Sequence, residues 1–170
     1  MQSAFVDIGQ EKAAFMHVTD LIDGHEVFDK QHGAEHPAIT SLVHDGQELL
    51  VQVTKEPIGT KGARITSNLS IVSRYLVYLP GSSHIGISQR IEDQDERMRL
   101  KGILEDMSEV EEGFIVRTAA ENANGEDIIK DAGYLRSRWQ GICAEGSVAK
   151  SPEVVYEDLP LPLRVMRDII

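Results

Sequence analysis

The chain has 170 residues, 41% of them apolar and 26% charged, with a formal net charge of −11 and one cysteine. That length can bury one ordinary core or two small ones, and the composition excludes an intrinsically disordered chain. The acidic balance excludes a uniformly basic surface of the kind that holds nucleic acid loosely, and Cys143 alone excludes an internal disulfide framework, as expected of a cytoplasmic protein.

The first runs, "SAFVDIG" and "AAFMHV", are short, apolar and separated by "QEK", and they predict a β-hairpin. Residues 20–45 are polar and rich in Gly, His and Asp, which predicts a long surface loop. "ELLVQVTKEP" alternates at Leu49, Val51 and Val53 as a strand does. "ARITSNLSI", "RYLVYLP" and "HIGISQRI" follow as strands, punctuated by Gly59, Gly62, Pro80 and Gly81.

At "EDQDERMRLKGILEDMSEV" the period changes. Leu100, Ile103, Leu104 and Met107 form the stripe of an amphipathic helix, and Glu92, Asp93, Asp95 and Glu96 crowd its first turn, where the helix dipole favours acids. "GFIVRTAA" returns to strand. In "GEDIIKDAGYLRSRWQGIC", Ile128, Ala132, Leu135, Trp139 and Ile142 share one helix face, with Asn124 placed to cap it and Cys143 placed to pack beside it. "LPLPLRVMRDII" begins a last helix that carries no stop signal, which suggests a truncated chain. No apolar run approaches the roughly 18–20 residues that cross a bilayer, and "MQSAFVDIGQ" carries no secretory signal. The expected class is α+β: a small antiparallel β barrel over residues 1–66, then a strand-plus-helix unit over 67–160.

The charge is unevenly spread. Residues 1–50 hold two basic side chains and nine acids, and residues 102–170 hold seven and fourteen. Between Lys55 and Arg90 the balance reverses, with Lys55, Lys61, Arg64, Arg74 and Arg90 against Glu56 alone. Such an island can dock an anion in a defined way while the remaining surface repels it. Lys61 lies between Gly59 and Gly62. Glycines let a backbone approach a phosphate closely and the lysine supplies a point charge, but a solvated hairpin turn has the same pattern, and "GTKG" is not a P-loop.

Phe5 and Phe15, one on each of the first two runs, suit a platform for stacked bases; taken singly, each is the kind of residue that fills a core. Arg117 and Thr118 end an apolar strand. An arginine fork beside a hydroxyl can grip a terminal phosphate, and an arginine can equally pair with one of the many acids. His25, His32, His36 and His44 populate the acidic loop; its Gly33 and Pro37 argue against a helix that would align His32 and His36 on zinc, so a solvated loop is expected. No spacing of aspartates for magnesium is present.

Taken together, "AFVDIGQEKAAFMH", "VQVTKEPIGTKGARIT", "SRYLVYLPGSSHIGISQRIED" and "GFIVRTAAE" resemble, in that order, the N-terminal region of the ribonuclease E/G family, with its ribonuclease G branch the nearest match. The resemblance implies an S1-type OB-fold domain (residues 1–66, lacking a first strand), a subdomain that senses the 5′ end of RNA (67–160), and the truncated start of a ribonuclease H-like subdomain (161–170). It implies that Phe5, Phe15, Lys61 and Arg90 contact RNA, and that Arg117 and Thr118, with Val77 and Ser73 nearby, hold a 5′ phosphate. Ser73 stands where some relatives have glycine, and Gln89 where some have a second arginine.

The implied partner is single-stranded RNA. The implied whole enzyme is an oligomeric, magnesium-dependent endoribonuclease whose metal-binding aspartates and zinc-linking cysteines this chain lacks, so the chain alone is expected to bind RNA without cutting it. The other expectation is a free-standing RNA-binding adaptor.

Overall fold

The computed structural model describes residues 2–21 and 37–169, so the expected loop histidines His25, His32 and His36 lie outside the described residues. The chain is α+β and divides into two compact units. One is 1–69 with 148–154, and the other is 70–147 with 155–170.

The first unit is built on a sheet of four short strands, β1 (Ser3–Val6), β2 (Ala14–His17), β3 (Gln52–Lys55) and β4 (Arg64–Thr66), in the order β1-β2-β4-β3. The expected first hairpin is there, with Phe5 opposite Phe15 and Ala4 opposite Met16. β3 and β4 also pair antiparallel. β2 and β4, however, run parallel, meeting at Phe15 and Arg64, with the Phe15 amide donating to the Ala63 carbonyl at 2.7 Å.

The sheet is therefore mixed, not all-antiparallel as expected, and no barrel closes among the described residues. Parallel neighbours need a long crossover connection, which the chain between His17 and Gln52 supplies. Alternation along β2 sends Ala14 and Met16 inward, where they meet Ala63 and Ile65 in a small core.

Two glycines shape the β3–β4 hairpin. Ile58 and Lys61 bridge each other, with amide-to-carbonyl bonds of 3.2 and 3.0 Å, and Gly59 turns the chain at φ +57°. Gly62 has another reason to be glycine, because a Cβ there would lie 2.0 Å from the Ala13 carbonyl oxygen. The hairpin-turn reading of these glycines is therefore the one with a structural basis: one bends the hairpin and the other lets two backbones touch. Gly62→Ala is expected to destabilise this unit by about 3 kcal/mol, since backbone cannot yield as a side chain would, against about 1 kcal/mol for Gly59→Ala. Urea melts of the two variants check the ranking, and equal losses would contradict it.

The second unit has a sheet of β5 (Ile71–Val72), β6 (Leu76–Pro80), β7 (Ile85–Ile87) and β8 (Glu112–Val116), in the order β5-β6-β8-β7. The expected helices are α1 (Gln94–Met107), α2 (Gly125–Val148) and the short α3 (Leu161–Ile169). β7 and β8 are parallel, and α1 is the crossover between them. Asp93 caps α1, accepting from the amides of Asp95 and Glu96 at 2.8 and 3.2 Å. Asn124 caps α2 by accepting from Glu126 at 3.2 Å.

The predicted stripes meet over the sheet: Leu100 and Leu104 from α1, and Ile128, Ala132, Leu135 and Ile142 from α2, bury against Leu76, Phe114 and Val116. Cys143, expected to pack beside that stripe, is exposed, because the buried positions of α2 stop at its neighbour Ile142.

Arg136 ties α2 to β8. It donates to the Glu112 carboxylate at 2.7 Å from Nη2 and to the Met107 carbonyl at 2.6 Å. The Arg136–Glu112 hydrogen bonds hold the Glu112 carboxyl below its ordinary range. Burial first, and the Glu112 charge second, push the neighbouring Tyr78 hydroxyl up to about 12.

Candidate nucleic-acid interface

Each unit presents its own candidate surface. In the first, strand register sets the pattern. Phe5 lies opposite Phe15, Phe15 beside Arg64, and Arg64 opposite Lys55, so a single row crosses all four strands. Because Ala14, Met16 and Ile65 fill the inner face, Phe5, Phe15 and Arg64 fall on the outer one; Lys55 pairs with Arg64 across a register shift after Val53 and is exposed. Phe5 is 68% exposed and Phe15 is half-buried, which corrects the core assignment that either would receive singly. Their rings meet edge to face, 6.1 Å between centroids at 67°. A large exposed aromatic braced by a second, with cations further along the row, is an arrangement on which unpaired bases can stack.

The Lys61 turn sits at the start of β2, since Gly62 abuts Ala13 and the Lys12 ammonium donates to the Gly59 carbonyl at 2.6 Å. Lys61 is exposed, and its ammonium has no partner among the described residues. Arg64 keeps one hydrogen-bonded acid, Asp20, at 3.3 Å.

In the second unit, the end of β8 and the turn after β7 line an open cleft of about 430 Å³, formed by Ser88, Arg90, Ile115, Val116, Arg117, Thr118 and Ala119. The Thr118 and Ser88 hydroxyls are 3.0 Å apart, and Arg97 fixes the Ser88–Ile91 turn by donating to both terminal carbonyls at 2.8 and 2.9 Å. Arg90 is exposed, and its guanidinium makes no ion pair among the described residues.

Arg117 is held firmly. Its amide donates to the Tyr75 carbonyl at 2.8 Å, and its Nη1 donates to the carbonyls of Ser73 and Arg74. Nη1 and Nη2 together clasp both oxygens of Asp168 at 2.9 and 3.0 Å. Of the two readings posed by the sequence, pairing with an acid is present at one edge of the fork. The end of the fork pairs with Asp168. The side edge, Nε–H with the second Nη2–H, has no partner among the described residues. Arg117 is the main reason that the Asp168 carboxyl lies far below the ordinary range, at about 2.

Ser73 reaches this cluster only through its carbonyl. Its hydroxyl is buried and bonded to the Asp131 carboxylate at 2.5 Å. Val77 pairs across the sheet with Ile115 of the cleft wall. Ser73, Val77, Arg90, Arg117 and Thr118 therefore gather in one unit, while Phe5, Phe15 and Lys61 gather in the other.

A model of the ribonuclease E/G family matches residues 70–170. This chain belongs to the ribonuclease E/G family. It is 44% identical to ribonuclease G of Haemophilus influenzae over 100% of this chain, and 45% identical to that of Salmonella typhimurium over 99%. Similarity to ribonuclease E of a Nostoc species is lower, 38% over 99% of the chain. The chain spans about a third of the two ribonuclease G proteins (35%) and 24% of the Nostoc protein. The cleft lies wholly within the ribonuclease E/G family match. The aromatic row lies before it but inside the region aligned with the relatives.

Ribonuclease E/G resemblance did not point to five residues that the structure adds to these surfaces: Lys12, Lys55, Arg64, Ser88 and Asp168. Lys12 and Asp168 are 47 and 51 residues from the groups they bond, and no local pattern joins them. Arg64 was visible only as one member of the basic island.

Proposed function

We propose that this chain is the RNA-binding and 5′-monophosphate-sensing part of a ribonuclease G-like endoribonuclease that acts on single-stranded RNA in rRNA and mRNA processing and decay. The observation that carries the reading is the open side edge of Arg117 in a cleft with Thr118 and Arg90. A terminal monophosphate presents three free oxygens and close to two negative charges at neutral pH. A two-donor fork, a hydroxyl and a second guanidinium match that ligand, and an internal phosphodiester has fewer oxygens to offer them. Family membership supports the same assignment. The row Phe5–Phe15–Arg64–Lys55, with Lys61 at its hairpin, supports a second contact, in which bases stack and phosphates meet cations.

On this reading, hydrolysis belongs to the rest of a longer, oligomeric protein, where magnesium would activate water. Among the described residues no group of three or more His, Cys, Asp or Glu side chains is arranged to hold a metal ion. No described helix is long and apolar enough to cross a membrane.

The test is equilibrium binding of two labelled single-stranded RNA decamers that differ only in a 5′-phosphate or a 5′-hydroxyl. Preference for the phosphorylated RNA by about 100-fold or more, the equivalent of a two-donor charge-assisted contact, is expected. Equal affinities would refute the sensing assignment, and failure to bind either RNA would refute the whole reading.

A further inference from the structure

We propose that Asp168, on the short helix α3, is a positioning residue that sets the phosphate selectivity of the cleft by fixing which edge of Arg117 faces a ligand. The inference rests on the sensing reading above and adds a component to it.

Arg117 has five N–H donors on a planar fork that can present either of two edges to a planar or tetrahedral anion. Backbone carbonyls hold only Nη1, through Ser73 and Arg74. Those bonds leave the plane free to pivot about Nη1. Asp168 removes that freedom, because its two oxygens meet Nη1 and Nη2 at 2.9 and 3.0 Å. With the end edge filled, the side edge is the one that a ligand can use.

Asp168 is itself anchored. Arg167 donates from Nε to Asp168 Oδ1 at 3.2 Å and from Nη1 to the Val72 carbonyl at 3.0 Å, which ties α3 to β5. The negative charge of Asp168 would oppose a phosphate if it stood alone. It does not, since Arg117 and Arg167 both contact it; Arg167 also meets Asp158 at 3.7 Å, so the two arginines balance the two carboxylates. Its carboxyl also stays ionised throughout the neutral and mildly acidic range. The carboxylate therefore acts as a fixed brace, not as a competitor that leaves when phosphate arrives.

Asp168→Asn keeps the shape and one acceptor oxygen but removes the charge and the two-point clasp. In the full chain it is expected to lower affinity for the 5′-phosphorylated decamer by roughly fivefold to tenfold, the loss of one charge-assisted contact's alignment, and to leave the 5′-hydroxyl decamer within about twofold. In an Arg117→Ala background the same change should do nothing further to selectivity, because nothing remains to be positioned.

An unchanged or increased phosphate preference in Asp168→Asn overturns the proposal, the latter by making Asp168 a competitor. Equal loss for both RNAs overturns it too, by reducing Asp168 to a structural tie. If Arg117→Ala retains the preference, the sensing reading itself fails. If Arg117→Ala abolishes the preference and Asp168→Asn does not, only the brace fails.

Discussion

Replacing Arg117 with alanine is expected to weaken binding of a 5′-phosphorylated single-stranded RNA by roughly 100-fold, the loss of about 3 kcal/mol from a two-donor, charge-assisted contact. Binding of the same RNA with a 5′-hydroxyl should change by no more than about twofold, since stacking and backbone contacts at the first unit are untouched. The contrast between the two RNAs matters more than either number. Arg117 also satisfies the Ser73 and Arg74 carbonyls and anchors Asp168, so alanine removes structural bonds along with the proposed phosphate contact.

A loss of stability alone would lower both affinities together. Arg117→Lys separates the effects further. Lysine keeps the charge but not the fork, so most of the preference, roughly tenfold or more, should still disappear. Fluorescence anisotropy with both RNAs, beside a melting curve for each variant, reads all three outcomes.

The second large effect is expected at the aromatic row. Phe5→Ala and Phe15→Ala should each weaken single-stranded RNA binding by roughly tenfold, whatever the 5′ end, because a stacked base contributes about 1–3 kcal/mol. The two changes should be less than additive, since the rings touch edge to face and one braces the other. Their effects on stability should differ. Phe5 is largely exposed and its loss should cost under about 0.5 kcal/mol, whereas half-buried Phe15 should cost more. If Phe5→Ala leaves affinity intact at low and moderate salt, the row is a bare sheet face and not an RNA platform.

Much of the fold could be read from periodicity. The stripes Leu100–Ile103–Leu104–Met107 and Ile128–Ala132–Leu135–Ile142 became the buried faces of α1 and α2, because a period of 3.6 leaves few alternatives. The caps at Asp93 and Asn124 were equally local. Strand partners were not, since a short apolar run carries no mark of its neighbour, and the parallel pairings β2–β4 and β7–β8 depend on crossovers.

The candidate surfaces divide in the same way. Arg117 and Thr118 are adjacent in sequence and stand together in the cleft. Phe5, Phe15, Arg64 and Lys55 became a row only once register was known. The glycines around Lys61 were ambiguous, because backbone packing against Ala13 and a tight turn leave the same trace as a phosphate-binding loop. Asp168 could not have been singled out among the 28 acids of the chain.

The central claim is that the free edge of Arg117 meets the 5′ phosphate of RNA. It is tested most directly by following the Arg117 Nε–H resonance, identified by its loss in Arg117→Ala, during titration with a short RNA. A 5′-phosphorylated tetranucleotide should shift that signal to saturation at one equivalent, and the 5′-hydroxyl form should leave it in place. A signal that ignores both, or follows both alike, would contradict the claim.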